Sequence, residues 1–310
     1  MRICKIQEHQ TTLQEAIDSF LRYKEAQQIS ERTLNDYNYY LTNFLVHSNN
    51  SLDYDTLTED VLSYFSNIPS TSPARFNHPY QNLSAFFNWA IKQDILPKNP
   101  LVMQGISKKR DDGNIKPIEI ENIKLLLSSW DKSTYTGLRN YTMVLVMLDT
   151  GIRTSELRRL KDSDFDTIAK QITISKYISK TRKNRVAYLS DSTARQLNKF
   201  IRVKPTEWSE LMFPTNEGNE MTSHCLCREF DKQCKKIGIK VTPYQLRHTF
   251  ASYFVANGGN LFTLQDLMGH SDIRMTRRYT EIDGETKKRQ HEQYSPINAL
   301  SGKPRFTKIK

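Results

Sequence analysis

The sequence predicts a mainly α-helical chain of two domains, with one small β-sheet or hairpin in the second. Three observations carry that reading. Apolar residues recur at a 3.6-residue period through most of the first third of the chain. A charged, apolar-poor break follows Pro97 and Pro100. Alternation of apolar and polar residues, the mark of a strand, stands out at 171–175 and 186–189.

In the first domain, Leu13, Ala16, Ile17, Phe20 and Leu21 share one helical face. Leu34, Tyr37, Leu41, Phe44 and Leu45 share another, after Ser30, a residue type that caps helix starts. Two further helices are expected at 58–65 and 74–93, the latter carrying Phe76, Tyr80, Phe86, Phe87 and Trp89. Four helices with aromatic faces make one compact module, placed at residues 1–106. Residues 107–116 hold too little apolar surface to pack and are assigned as a linker. Two domains joined by a basic linker suit closure around a rod-shaped partner.

The second domain, residues 117–285, opens at Pro117 with a helix to residue 130. Residues 141–148 are apolar almost all round, which predicts a central buried helix. Gly151 ends that helix, and Thr154 or Ser155 is the expected cap of the next, with Glu156 in its first turn. Arg153 then lies in a tight corner between two helices. The polar residues 180–184 read as a hairpin tip, and 211–213 as a short strand. Thr242-Pro243 starts a helix that Gly258-Gly259 stops, with Tyr244 and Arg247 facing the same way. Gly269 ends a short helix, His270 follows, and Ser271 is the expected cap of a helix ending near Tyr279. Residues 286–310 form a basic tail.

Composition narrows the function classes. The 310 residues carry 45 Lys and Arg against 34 Asp and Glu, a net charge of +11. Basic clusters occur at 176–185, 232–240 and 303–310, so a polyanion is the expected partner. No signal peptide or membrane-spanning run is seen, and the cytoplasm is the expected location. Cys4, Cys225, Cys227 and Cys234 make no disulfide framework in a chain of this length. A zinc site is the alternative, because a helix over 223–237 would put His224, Cys227 and Cys234 on one side. With no CxxC pair, and with Leu226, Phe230 and Ile237 continuing an apolar series, free buried thiols are the preferred reading.

The most chemically pointed stretch is 269–279, where Tyr279 sits among Arg274, Arg277 and Arg278, nine residues after His270. A phenol titrates near about 10, so it attacks phosphorus well only where cations stabilise the phenolate. Arginine suits the accompanying task of neutralising non-bridging oxygens, since its guanidinium stays charged and donates as a fork. Arg153 and Arg247 each lie at or near a helix start, where free backbone amides add to an anion site.

The ordered set Gly151 to Leu157 (Gly-Ile-Arg-Thr-Ser-Glu-Leu), a lysine-bearing hairpin, Leu246 to Ala251 (Leu-Arg-His-Thr-Phe-Ala), Leu267 to Ser271 (Leu-Met-Gly-His-Ser) and Tyr279 resembles the tyrosine recombinase, or phage integrase, family. The likeness covers residues 117–285. It implies a helical core-DNA-binding domain followed by an α+β catalytic domain. It also implies that Tyr279 attacks the scissile phosphate to form a 3′-phosphotyrosyl bond and release a 5′-hydroxyl. Arg153 and Arg247 would clamp the non-bridging oxygens, and His270 would hydrogen-bond the phosphate or help deprotonate Tyr279. Lys180 would protonate the departing 5′-oxygen. Because the covalent link conserves the energy of the broken bond, rejoining needs neither ATP nor a metal, and no cofactor is implied. The implied partners are double-stranded DNA with inverted-repeat core sites, further copies of this chain in a tetramer, and accessory DNA-bending proteins.

Two positions need comment. Lys180 precedes Arg185 by five residues, as the family's lysine usually precedes the arginine of its second strand, while Lys176 and Lys183 are its rivals. Where the family most often has a histidine three residues before the second arginine, this chain has Tyr244, which can donate a hydrogen bond but is a poor proton shuttle at pH 7. It is read as a site residue that acts on phosphate, supports Arg247 or Tyr279, or packs beneath them. His248 points about 100° away from Arg247 on a helix and is read as structural. Tyr253 and Tyr294 are the other tyrosines weighed as nucleophile; one falls inside a helix and the other lies beyond the motif spacing.

The leading function is therefore site-specific DNA recombination, for integration, excision, inversion or resolution. A type IB topoisomerase and a basic DNA-binding regulator are the alternatives. The first helix begins near residue 11, which favours a compact Xer-like or mobile-element enzyme, and the tail is expected to exchange between subunits and touch DNA.

Overall fold

A computed structural model of the chain describes residues 11–69, 72–110, 116–205, 207–279, 288, 291–293 and 295–297. The chain divides into two compact units, Met1–Gly113 and Asn114–Lys310.

The first unit holds helices α1 (Leu13–Ala26), α2 (Glu31–Val46), α3 (Tyr54–Ser66), α4 (Pro73–Lys92) and the single turn α5 (Pro100–Met103). Each long helix starts at a side-chain cap. Thr12 Oγ1 accepts from Glu15 N, and Glu15 Oε2 accepts from Thr12 N at 2.9 Å; Ser30, Asp53 and Ser72 cap the other three. The Asp53 cap explains why α3 begins four residues before the apolar pattern at 58–65 suggests. The apolar faces meet in a core whose Phe20, Phe44, Phe86 and Phe87 are fully buried. Phe20 meets Phe86 edge-on at 5.6 Å, and each such ring contributes about 1.5–3 kcal/mol by leaving water. Asn77 on α4 exchanges two 2.9 Å hydrogen bonds with the backbone of Lys109, so the stretch 107–110 is tied to α4.

The second unit contains α6 (Ile120–Ser128), α7 (Tyr135–Thr150), α8 (Thr154–Leu157), strands β1 (Phe165–Asp166), β2 (Gln171–Ile174) and β3 (Arg185–Tyr188), and helices α9 (Asp191–Val203), α10 (Ser223–Lys236), α11 (Pro243–Ala256), α12 (Leu261–Met268) and α13 (Ile273–Arg277). The three strands form one antiparallel sheet in the order β1-β2-β3, with Ile172 opposite Ala187 and Ile174 opposite Arg185. Met143, Val144, Val146 and Met147 make α7 the buried centre, against which α9 and α11 pack.

Several local expectations change. Strand β1 and helix α9 are additions to the elements read from the sequence; α9 is capped by Ser190 and buries Ala194, Leu197 and Phe200. Residues 211–213 contribute one bridge, Leu211 to Lys161. Neither Thr154 nor Ser155 caps α8: Arg153 occupies the cap position, and the Glu156 side chain reaches back to its amide at 3.2 Å. Asp272, not Ser271, caps α13. On α10, Cys234 is buried with Sγ directed at Val241 O, Cys225 is half-buried and Cys227 is exposed, so of these three thiols only Cys234 is the buried one expected. Of the tail assigned to 286–310, the described residues are 288, 291–293 and 295–297.

Candidate active site

The site begins at two helix ends. Gly151 terminates α7 in the left-handed region, φ +61°, a conformation that a Cβ strains and that sterics would also refuse, since a Cβ there would sit 2.4 Å from Phe250 Cδ1. Gly269 ends α12 the same way, φ +61°, with Arg185 Cδ 3.0 Å from where its Cβ would be. Carbonyls left unpaired at these ends carry the negative pole of their helices. Both ends turn those carbonyls toward arginines.

Arg247, on the first turns of α11, is buried and donates through Nη1 to Gly151 O, and through Nη2 to Met268 O at 2.9 Å and His270 Nε2 at 3.0 Å. Arg153 donates through Nη2 to Gly269 O at 3.0 Å and through Nη1 to Glu156 Oε1 at 3.1 Å. Arg185, at the start of β3, donates to both oxygens of Glu156 and through Nε to Leu267 O at 3.2 Å. Three guanidinium groups therefore surround one carboxylate, leaving the cluster with excess positive charge.

The titrations follow from this crowding. Burial alone would raise the Glu156 carboxyl, but hydrogen bonds and charge from Arg185, with help from Arg153, outweigh it and hold the carboxyl below its ordinary value. Burial, and then the charge of Arg153, lower the Arg247 guanidinium, which remains protonated at neutral pH. Burial followed by Arg247, Arg153 and Arg185 pushes His270 down to about 4. The His270 imidazole is therefore neutral at pH 7.

Tyr279, just beyond α13, is half-buried and packs with α11 and α12 residues Ala251, Val255, Leu264 and Met268. Burial raises its phenol, and so does Tyr244, while Arg247 and Arg278 lower it. Between it and Tyr244 stands His248, whose ring centroid lies 5.3 Å from Tyr279 and 4.4 Å from Tyr244. Burial and the nearby Arg278 and Arg247 push His248 down to about 4.

The predicted residues thus separate into three groups. Arg153 and Arg247 bond neighbouring carbonyls of one helix end, Gly269 O and Met268 O, Arg247 also bonds His270, and Tyr279 adjoins them through packing and charge. Tyr244 does not share Arg247's environment: it is 53% exposed against 5%, and its contact is with His248. Lys180 stands exposed in the turns between β2 and β3 and makes no hydrogen bond or ion pair with the cluster among the described residues. Lys176 and Lys183 are exposed on the same segment, and strand β2 ends at Ile174, before all three lysines, where Ser175 O accepts turn bonds from Ile178 and Ser179. Tyr253 is half-buried on α11, and Tyr294 lies outside the described residues. Glu156, Arg185, His248 and Thr276 are the site residues that motif spacing did not assign. The acid in the first turn after Arg153 was a usable signal for Glu156; nothing in spacing marks the others.

The model of the phage integrase family matches residues 116–285, more than half of the chain. Tyrosine recombinase XerD of Listeria innocua is 26% identical over 299 residues, covering 92% of this chain and 99% of the relative. Tyrosine recombinase XerC of Chlamydia caviae is 28% identical over 221 residues, 69% of each chain. Among solved structures, the Tn1549 transposon integrase in complex with circular intermediate DNA matches with a TM-score of 0.74 at 19% identity, covering 90% of this chain and 99% of that one. A lambda integrase dimer bound to a COC′ core site matches at 0.72 and 18% identity, covering 85% and 97%. Likeness at these identities is likeness of fold.

Proposed function

This chain belongs to the phage integrase family of tyrosine recombinases, site-specific enzymes that cleave and rejoin DNA strands, and we propose that Tyr279 is its nucleophile and Arg153, Arg247 and His270 its phosphate-binding site. One observation supports this assignment above the others: two arginines and a neutral histidine converge from α8, α11 and the end of α12 into a buried, positively charged corner beside a half-buried tyrosine. Each guanidinium has five N–H donors. Arg153 and Arg247 commit some of theirs to backbone carbonyls, which fixes the forks, and the remainder can meet the oxygens of a phosphate. Held in place before substrate arrives, such donors stabilise the charge that develops on phosphorus-bound oxygen without reorganising.

The reaction then runs as an in-line exchange. The Tyr279 oxygen forms a bond to phosphorus as the bond to the 5′-oxygen breaks; the phenol proton passes to a nearby base, and Lys180 delivers a proton to the leaving 5′-oxygen. Rejoining reverses each transfer with a partner strand. Lys180 would act from the exposed turn between β2 and β3, brought to the phosphate by bound DNA. Tyr244 would support Tyr279 through the His248 ring. We assign core-DNA binding to residues 1–106, linking to 107–116, catalysis to 117–285 and subunit exchange to the tail at 286–310. A homotetramer on inverted-repeat core sites, helped by DNA-bending proteins and working in the cytoplasm, completes the reading. No helix among the described residues is long and apolar enough to cross a membrane.

The test is a circular plasmid carrying two candidate sites taken from inverted repeats beside the gene. Recombinant circles that depend on both sites are expected. Relaxation that needs neither site, without recombinants, would transfer the assignment to a topoisomerase.

A further inference from the structure

The His270 ring is held at both nitrogens. Arg247 Nη2 lies 3.0 Å from Nε2, and Thr276 Oγ1 lies 2.8 Å from Nδ1. A guanidinium only donates, so Nε2 must be the bare, accepting nitrogen. The ring proton therefore sits on Nδ1 and is donated to Thr276. The opposite tautomer, or an imidazolium, would set two N–H groups face to face at 3.0 Å. Around the ring stand Arg247 and His248 from α11, Arg153 from the start of α8 and Arg185 from β3, and each disfavours a second proton. Thr276, fully buried on α13 three residues before Tyr279, is the one hydroxyl bonded to the ring among the described residues.

We propose that Thr276 is a positioning residue for strand cleavage: by accepting from Nδ1 it fixes the rotation and tautomer of His270, keeping Nε2 as an acceptor beside Arg247. This rests on the proposed roles of Arg247 and His270. It resolves what His270 does first. An accepting Nε2 cannot donate to a phosphate oxygen, so His270 enters the reaction as a proton acceptor. It becomes a donor to a non-bridging oxygen only after the phenol O–H of Tyr279 has broken and an Nε2–H bond has formed. Because Thr276 and Tyr279 share one short segment, the base and the nucleophile are oriented by the same element.

Nitrogen NMR of the full chain without DNA, with 15N-labelled histidine and His270 assigned by its loss in His270→Gln, reads the tautomer directly. A proton on Nδ1, protected from exchange, with a bare Nε2, is the expected state. Thr276→Val keeps the shape and removes the acceptor; it should lose that protection and slow first-strand cleavage about ten- to a hundredfold. Thr276→Ser should retain both properties, and it carries the comparison if the valine variant fails to fold. A wild-type ring protonated at Nε2, or a folded Thr276→Val that cleaves at the wild-type rate, overturns the proposal. The NMR result does not require DNA cleavage, so a chain that cut no DNA would sink the proposed function while leaving the tautomer measurement to stand or fall alone.

Discussion

Arg185 donates to both carboxylate oxygens of Glu156, Nη1 to Oε1 at 3.1 Å and Nη2 to Oε2 at 2.5 Å, and Glu156 has no exposed surface. The pair fastens β3 to α8, and Glu156 also holds Arg153 through Nη1 and its amide. One carboxylate thus fixes the direction of a proposed catalytic arginine while reducing repulsion among three.

Glu156→Gln leaves two buried guanidinium groups without their counter-charge. Removing one partner of a buried pair costs about 3–5 kcal/mol, so the denaturant midpoint of the second unit should fall steeply. A loss under about 1 kcal/mol would mean that water already screens the cluster.

Acid should destabilise the second unit before its carboxylates titrate. His248 and His270 are both pushed from an ordinary value near 6.5 down to about 4. Between those values the unfolded chain binds more protons than the folded one, so stability is complete above about pH 6.5 and declines as pH falls toward 4, by about 1.4 kcal/mol for each unit of depression. Glu156, held below its ordinary value, adds a further loss only at lower pH. Urea midpoints compared at pH 7.5 and 4.5 measure this, and a flat profile would refute the buried, neutral histidines.

The row of ring contacts from Tyr244 through His248 to Tyr279, set beside His270, ranks three substitutions. Tyr244→Phe keeps a half-exposed ring and should change cleavage by no more than about twofold. His248→Ala removes the ring between the tyrosines and should cost about tenfold or more. His270→Ala should cost more than either, about a hundredfold. Single-turnover cleavage rates decide the order, and a Tyr244→Phe variant as slow as His270→Ala would restore a direct chemical role to Tyr244.

Gly151→Ala combines a positive φ with a Cβ placed 2.4 Å from Phe250 Cδ1. Together these should cost about 2–4 kcal/mol and displace the carbonyl that receives Arg247. Adding Phe250→Leu should recover part of the stability, with the backbone strain remaining; full recovery would show that the left-handed turn contributes little.

Much of this arrangement is legible before any coordinates. Helices α1 and α2 follow from unbroken 3.6 periods, α2 also from a cap at Ser30, and both glycine helix ends follow from Gly151 and Gly269. The order of Arg153, Arg247, His270 and Tyr279 is visible because each lies in a short local motif. Pairings that depend on docking are not. Glu156 meets Arg185 across 29 residues only because β3 lies against α8. The expectation that Tyr244 and Arg247 share a face failed because i and i+3 side chains stand about 60° apart around a helix, enough to put one in the core and the other at its rim. His248 looked like a packing residue and is one, yet what it packs against is Tyr279, the proposed nucleophile.

The assignment of Tyr279 is tested most directly by trapping its DNA adduct. The chain is incubated with a nicked core-site duplex that cannot be rejoined, denatured, and digested for peptide mass analysis. A DNA-linked peptide containing Tyr279 is expected, absent from Tyr279→Phe although that variant still binds the duplex. An adduct that persists in Tyr279→Phe, or that maps to Tyr253 or Tyr294, would contradict it.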